Sequence, residues 1–163
     1  MPDVSFGAID ESALAELARR LAPALHDGGV VHLTGALGAG KTTFARALLG
    51  ALGVRARVKS PTYSLIESYE CDGLGIQHLD LYRIAGAGEV EWLGLRDYAA
   101  ERQLWLIEWP ERARDAVPPA DLVVHLAHAG DRRTLRLEAL TPAGSLWVKA
   151  LEASGRTQIG TAG

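Results

Sequence analysis

The stretch "GALGAGKTT", residues 35–43, places three glycines and one lysine within nine positions. It follows "VVHLT", a short β-branched run that predicts a buried strand. It precedes "TTFARALLGALG", in which apolar residues recur on one side and Gly53 supplies a stop, as expected of a helix. A glycine-rich loop between a strand and a helix therefore decides the fold at this point.

The loop fits the Walker A pattern G-x-x-x-x-G-K-[ST], which a chain of this composition would contain by chance only roughly 0.003 times. Glycines let successive backbone N–H groups converge on phosphate oxygens, and the helix adds its positive end. Lys41 is expected to reach the β and γ phosphates, and the Thr42 hydroxyl to ligate Mg²⁺. The alternative is a plain glycine turn. The predicted nucleotide contacts in the loop are Gly35, Ala36, Leu37, Gly38, Ala39, Gly40, Lys41, Thr42 and Thr43.

A Walker A loop needs an acid at the tip of a neighbouring strand to hold Mg²⁺ or its waters. Asp80 ends "GIQHLD" and Glu108 ends "LWLIE", so both are candidates for the metal site and for catalysis. Either acid is equally compatible with a solvated strand end or a helix cap. Trp109 follows Glu108 and either covers the nucleotide or anchors its loop. The histidines form no metal-ligand pattern, and we interpret them as structural.

The segment "KSPTYSL", residues 59–65, has the features of a loop that senses a γ-phosphate. Pro61 stiffens an extended backbone, and Ser60 and Thr62 offer hydroxyls. The alternative is an ordinary loop that enters a strand.

The remaining pattern predicts an α/β protein with one domain over residues 1–153 and a disordered tail over residues 154–163. A helix is expected in "DESALAELARRLAPAL", capped by Asp10 or Ser12, and another in "GEVEWLGLRDYAAER". "QLWLIEW" reads as a buried strand. Two hairpins are expected, one turning at residues 71–73 and one joining "LVVHLAH" to "RRTLRLEAL".

The chain has 163 residues and a net charge of −3, which disfavours a grip on nucleic acid by this protein alone. Cys71 is the single cysteine, so no internal disulfide can form, which fits a reducing compartment. The sequence shows neither a secretory signal nor an apolar run near the ~20 residues of a membrane span. We therefore expect a cytoplasmic protein with no membrane contact.

Four segments together resemble one bacterial family: "GALGAGKTTFARALL", "VKSPTYSLIESY", "HLDLYRI" and "LIEWPER". Their order and spacing are similar to the TsaE (YjeE) family, the ATPases of bacterial tRNA threonylcarbamoyladenosine synthesis. The likeness covers roughly residues 10–140. The loop is generic to P-loop proteins, whereas the combination of "SPTY", "DLYR" and "EWP" is much more specific.

The resemblance implies a single P-loop NTPase-like domain, with a central, mostly parallel sheet flanked by helices and added antiparallel strands. It implies that the loop binds ATP with Mg²⁺, that Lys41, Asp80 and Glu108 serve catalysis, and that Trp109 lies near the nucleotide. Residues 60–63, including Thr62, would be the switch-like loop. A contact to the base would come from Arg132 or Arg133.

The resemblance also implies TsaD and TsaB as partners, with tRNA held only through the complex and carbamoyl transfer left to TsaD. Hydrolysis would be slow alone and stimulated by partners. One departure is Ala36, where the family usually has an acid. Two other functions stay open from the sequence: a small P-loop kinase, and a non-catalytic adaptor whose conformation ATP sets.

Overall fold

The structure, a computed structural model, describes residues 3–55, 66–83, 102–113 and 116–162. The predicted helix in "GEVEWLGLRDYAAER" lies almost wholly outside these residues, as does Thr62 with the rest of residues 60–63. The strands are β1 Asp3–Ile9, β2 Gly29–Thr34, β3 Ile66–Cys71, β4 Leu74–Asp80, β5 Gln103–Glu108, β6 Leu122–Ala129 and β7 Arg132–Ala139. The helices are α1 Glu11–Leu21, α2 Lys41–Ala51 and α3 Pro142–Ala162, with 3-10 turns at Ala22–Leu25 and Pro110–Arg112.

The strands form one seven-stranded sheet in the order β1-β7-β6-β2-β5-β4-β3. The four central strands, β6, β2, β5 and β4, pair in parallel. The outer pairs β1–β7, β7–β6 and β4–β3 are antiparallel. This mixed α/β domain confirms the predicted fold class and both predicted hairpins.

Strand β5 is apolar without alternation because both of its faces are covered. Leu104 and Leu106 belong to the main core with the helices, whereas Trp105 and Ile107 belong to a second cluster on the opposite face. A strand in the middle of a parallel sheet needs such a continuous apolar run. It therefore carries its terminal carboxylate, Glu108, to a fixed point at the sheet edge.

Helix α1 begins where the Asp10 side chain accepts a hydrogen bond of 2.8 Å from the Ala13 amide, so Asp10 is the cap of the two predicted candidates. Its Leu14 and Leu21 are fully buried in the same core as Phe44 of α2. Each such side chain contributes about 1.5–3 kcal/mol relative to leaving it in water. The packing of α1 on α2 thus fixes the helix that follows the glycine loop.

The structure adds one element at each chain end that the sequence did not predict. One is helix α3, Pro142–Ala162, whose second half falls in the segment from residue 154 that was expected to be disordered; that expectation stays a prediction. The Arg20 guanidinium donates to Ser154 Oγ and to the Leu151 carbonyl, both at 3.0 Å, so contacts from α1 hold this part of the helix. At the other end, β1 was not predicted at all; it pairs antiparallel with β7, for example Phe6 with Leu135.

Strands β2, β4 and β5 run in parallel and end at the same edge of the sheet. Helix α2 starts at that edge, directly after the glycine loop. Ligands of open α/β sheets bind at the carboxyl ends of such strands. None of the helices in the described residues combines the length and the apolar character needed to cross a membrane.

Candidate nucleotide-binding site

The glycine loop, residues 35–40, joins β2 to α2 with three glycines at positive φ. The φ angles are 143° at Gly35, 77° at Gly38 and 110° at Gly40. A Cβ on Gly35 would overlap the Leu126 carbonyl oxygen, so both the backbone angle and the space require glycine there. The N-cap residue, Gly40, offers no side chain to the first amides of α2. The loop therefore presents backbone and helix end without a side-chain cap, as an anion site requires.

Lys41, the first residue of α2, is buried and folded back onto its own loop. Its Nζ donates to the Gly35 carbonyl at 2.5 Å and to the Ala36 carbonyl at 3.0 Å. The same Nζ lies 4.2 Å from the centroid of the Trp109 ring, a cation–π contact. The ammonium group thus already sits among the loop carbonyls at the place where phosphates would enter.

Burial lowers the pKa of Lys41 below its ordinary value, and the nearby carboxylates of Glu108, Glu111 and Asp80 oppose that shift. Desolvation is the larger effect, because the side chain is only 5% exposed. The protein therefore holds a lysine whose charge is poorly solvated, which is typical of a site that receives an anionic ligand.

The two predicted acids are direct neighbours across β4 and β5: Asp80 pairs with Glu108. Both are buried. Thr42 Oγ1 donates to Glu108 Oε1 at 3.3 Å, while Asp80 Oδ1 accepts from the Tyr82 amide at 3.0 Å. The structure thus brings Thr42, Asp80 and Glu108 together beside the loop, as the sequence predicted.

His78, interpreted from the sequence as a structural residue, contacts one of these acids. Its Nε2 lies 2.6 Å from Glu108 Oε2, and neither side chain is exposed by more than 2%. Its Nδ1 has no hydrogen-bond partner within the described parts of the chain. The signal that could have found it is the two-residue spacing to Asp80, which places both side chains on one strand face.

Trp109 has a left-handed backbone, with φ 58° and ψ 48°. Such a conformation costs a bulky residue on the order of 1–3 kcal/mol and persists only when its surroundings hold it. Its amide donates to the Leu33 carbonyl at 3.3 Å, and its ring centroid lies 4.8 Å from that of Tyr82. The Arg112 guanidinium lies 5.3 Å over the Tyr82 ring and 5.8 Å over Trp109. Trp109 is therefore an aromatic wall of the site as well as an anchor of its loop.

These residues enclose a cavity of about 380 Å³, a size typical of small-molecule sites. Tyr82 and Arg83 on its wall were not predicted from the sequence. Three of the predicted loop contacts, Gly35, Ala36 and Ala39, do not line the cavity. The Ala39 amide donates a hydrogen bond to the Ala36 carbonyl at 3.1 Å. The cavity is lined by Leu37, Gly38, Gly40, Lys41, Thr42, Thr43, Asp80, Tyr82, Arg83, Glu108 and Trp109.

Arg133 does not line the cavity but contacts the back of the glycine loop. Its Nη2 donates to the Gly38 carbonyl at 3.2 Å, and His128 Nε2 lies 3.1 Å from the Leu37 carbonyl. The end of the β6–β7 hairpin thus supports the loop. The predicted contact of Arg132 or Arg133 with a base stays a prediction.

The donors fit Mg²⁺ better than a metal held wholly by protein. The described residues contain no group of three or more His, Cys, Asp or Glu side chains arranged around a metal. Mg²⁺ is instead usually bound by one or two carboxylates, with waters and substrate phosphates completing the octahedron. Thr42, Asp80 and Glu108 supply that kind of partial set.

The family described as "Threonylcarbamoyl adenosine biosynthesis protein TsaE" matches residues 8–135. The chain is 43% identical over 121 residues to the tRNA threonylcarbamoyladenosine biosynthesis protein TsaE of Haemophilus influenzae, an alignment that spans 74% of this chain and 77% of that protein. The protein of the same name from Streptomyces coelicolor is 37% identical over 142 residues, spanning 84% of this chain and 95% of the relative.

Among solved structures, the crystal structure of Bacillus subtilis YdiB superposes with a TM-score of 0.78 at 26% identity. The superposition covers 94% of this chain and 97% of that one. The family match covers most of the chain, including the glycine loop and both acids. On these grounds, the chain belongs to the TsaE family.

Proposed function

We propose that this protein is the ATP-binding and ATP-hydrolysing component of the cytoplasmic machinery that makes N6-threonylcarbamoyladenosine in tRNA. The observation that carries the proposal is the convergence of Lys41, Thr42, Asp80 and Glu108 on one cavity at the glycine loop. The names of the relatives, tRNA threonylcarbamoyladenosine biosynthesis proteins, supply the pathway.

Binding begins at the loop, whose amides and helix end attract the triphosphate. Lys41 would exchange the Gly35 and Ala36 carbonyls for the β and γ phosphates, so that its charge gains a strong partner. Trp109 would then be released from the ammonium and become available to cover the nucleotide.

Mg²⁺ would be held by Thr42 with Glu108 and Asp80, and when bound it neutralises charge on the phosphate oxygens. Glu108 already accepts a hydrogen bond from Thr42, which supports a role at the metal side of the site. Asp80, its neighbour across the sheet, remains the second candidate for positioning the attacking water.

Hydrolysis by the isolated protein should be slow, because water positioning requires groups that residues 60–63 or a partner would supply. The proposal assigns the stimulation to the TsaB–TsaD complex, and it assigns contact with tRNA to the assembly. The net charge of −3 supports this division, since a mildly acidic protein does not hold tRNA well by itself.

The test is steady-state ATP hydrolysis by the protein alone, with TsaB–TsaD, and with tRNA but no partner. We expect slow turnover alone, clear acceleration by TsaB–TsaD, and no effect of tRNA alone. Lys41→Ala is the negative control for every condition. Fast turnover by the lone protein, or stimulation by tRNA alone, contradicts the proposal.

A further inference from the structure

The Glu108 carboxylate is held between two groups from different elements. Its Oε2 lies 2.6 Å from His78 Nε2 on β4, and its Oε1 accepts from Thr42 Oγ1 on α2 at 3.3 Å. The shorter contact is thus to histidine, and the longer one is to the residue proposed to meet the metal. His78 is fully buried, and the carboxylate is nearly so.

A buried carboxylate needs hydrogen-bond donors, because burying its charge without them is strongly unfavourable. The 3.3 Å contact with Thr42 is too long to meet this need alone. His78 meets it by donating from Nε2, which leaves Nδ1 as the unprotonated nitrogen. That assignment agrees with the lack of a partner for Nδ1 in the described residues, since a bare lone pair is less costly to bury than an unpaired N–H.

We infer that His78 is a positioning residue that locks the Glu108 side chain, so that its second oxygen faces Thr42 and the cavity. The register supports this: His78 pairs with Leu106, two residues before the pair formed by Asp80 and Glu108. The imidazole therefore reaches diagonally across the two strands to the carboxylate. The effect of this lock on hydrolysis rests on the proposed function, whereas the orientation of Glu108 does not.

Asp80 and His78 therefore have different roles on the same strand, β4. Asp80 faces the cavity, while His78, two residues earlier, does not line it and acts only through Glu108. Supporting partners of this kind typically change metal affinity or activity by about 10- to 100-fold when removed. Substitution of a residue that only packs in the core would change activity only to the extent that it changes folding.

The test compares three substitutions of His78. Gln carries an amide N–H that can reach Glu108, Asn carries one that is too short to do so, and Leu has none. We expect the turnover number with TsaB–TsaD to fall about 10- to 100-fold in His78→Leu and His78→Asn, and to recover largely in His78→Gln. ATP affinity measured without Mg²⁺ should stay within about threefold of the parent, because the phosphate loop is untouched. His26→Gln, an exposed control, should match the parent throughout.

A second readout does not depend on turnover. Addition of Mg²⁺ should tighten ATP binding less in His78→Asn than in His78→Gln, because only the latter keeps Glu108 aimed at Thr42. If His78→Leu does not fold, the Asn and Gln pair still decides the question.

Equal turnover and equal Mg²⁺ response in the Asn and Gln variants would overturn the inference. If the parent protein does not hydrolyse ATP with TsaB–TsaD, the proposed function is refuted instead. The comparison of Mg²⁺ responses would still test the role of His78.

Discussion

The Lys41 ammonium lies 4.2 Å from the centroid of the Trp109 ring and at the same time donates hydrogen bonds to two carbonyls of the glycine loop. The residue proposed to bind phosphate is thus stacked on the residue proposed to cover the nucleotide. Movement of Lys41 toward a phosphate would therefore change the surroundings of an indole ring, which makes ligand entry visible by fluorescence.

We predict that ATP with Mg²⁺ changes the tryptophan emission of the parent protein and that Trp109→Phe removes most of that change. The physical reason is the loss of the cation over the indole face when Lys41 turns to the phosphates. Trp147→Phe is the matched control, because Trp147 is buried in the main core away from the cavity. An equal emission change in Trp109→Phe and the parent would contradict this account of Lys41.

Lys41→Met should weaken ATP binding strongly while raising the free energy of unfolding of the ligand-free protein by about 1 kcal/mol. The gain is expected because burial lowers the pKa of Lys41, which means that the fold disfavours the charged form. The direction in which the parent's stability changes with pH gives a second check. The unfolded chain holds the proton up to a pKa of 10.5, so the parent gains stability as pH rises toward that value.

The difference in the free energy of unfolding between Lys41→Met and the parent should therefore decrease between neutral pH and pH 10. Urea unfolding at several pH values measures it. A variant that is less stable than the parent and has unchanged ATP affinity would refute both parts.

His32 should make stability depend on pH. Its Nε2 donates to the Pro118 carbonyl at 2.9 Å, and burial lowers its pKa, against the raising effects of Pro118 and Glu111. As pH falls below 6.5 the unfolded chain takes up a proton that the folded protein resists, so stability is lost on the acid side. His32→Gln should lose less stability than the parent between pH 7.5 and pH 5.5, as measured by urea unfolding. Identical losses in the two proteins would contradict the assignment.

Gly35→Ala should lower the free energy of unfolding by more than about 1 kcal/mol and abolish ATP binding. The new methyl group would meet the Leu126 carbonyl, and φ of 143° is unfavourable for alanine. Gly50→Ala is the matched control, because Gly50 is exposed in α2 and has open space at its Cβ position. This substitution should stabilise the helix by about 0.5–1 kcal/mol. Urea unfolding of the two variants checks both signs.

The glycine loop, the parallel strands around it and the two acids at strand ends were predictable because their signals are local. A strand of continuous apolar residues and a P-loop pattern need no knowledge of the remaining chain. The contacts of His78 with Glu108 and of Arg133 with Gly38 join residues 30 and 95 positions apart, so local sequence does not identify either partner.

The missed elements lie at the chain ends for a related reason. Strand β1 is recognised by its pairing with β7 rather than by its own alternation, since Ala8 has a positive φ and the register shifts between Phe6 and Ile9. Helix α3 was not predicted, because the small and polar residues of its second half suggest disorder, whereas Arg20 donates hydrogen bonds to its backbone at Leu151 and to its side chain at Ser154. Tertiary contacts override local composition in both cases.

The central claim is that ATP is hydrolysed at the site where Glu108 meets Thr42. The most direct measurement is the turnover number of Glu108→Ala with TsaB–TsaD, together with its ATP affinity. The account predicts a turnover lower by about two orders of magnitude, the usual result of losing a positioned acid–base or electrostatic group, with a far smaller change in affinity. Normal turnover in this variant would contradict the assignment of Glu108 and make Asp80 the acid to test.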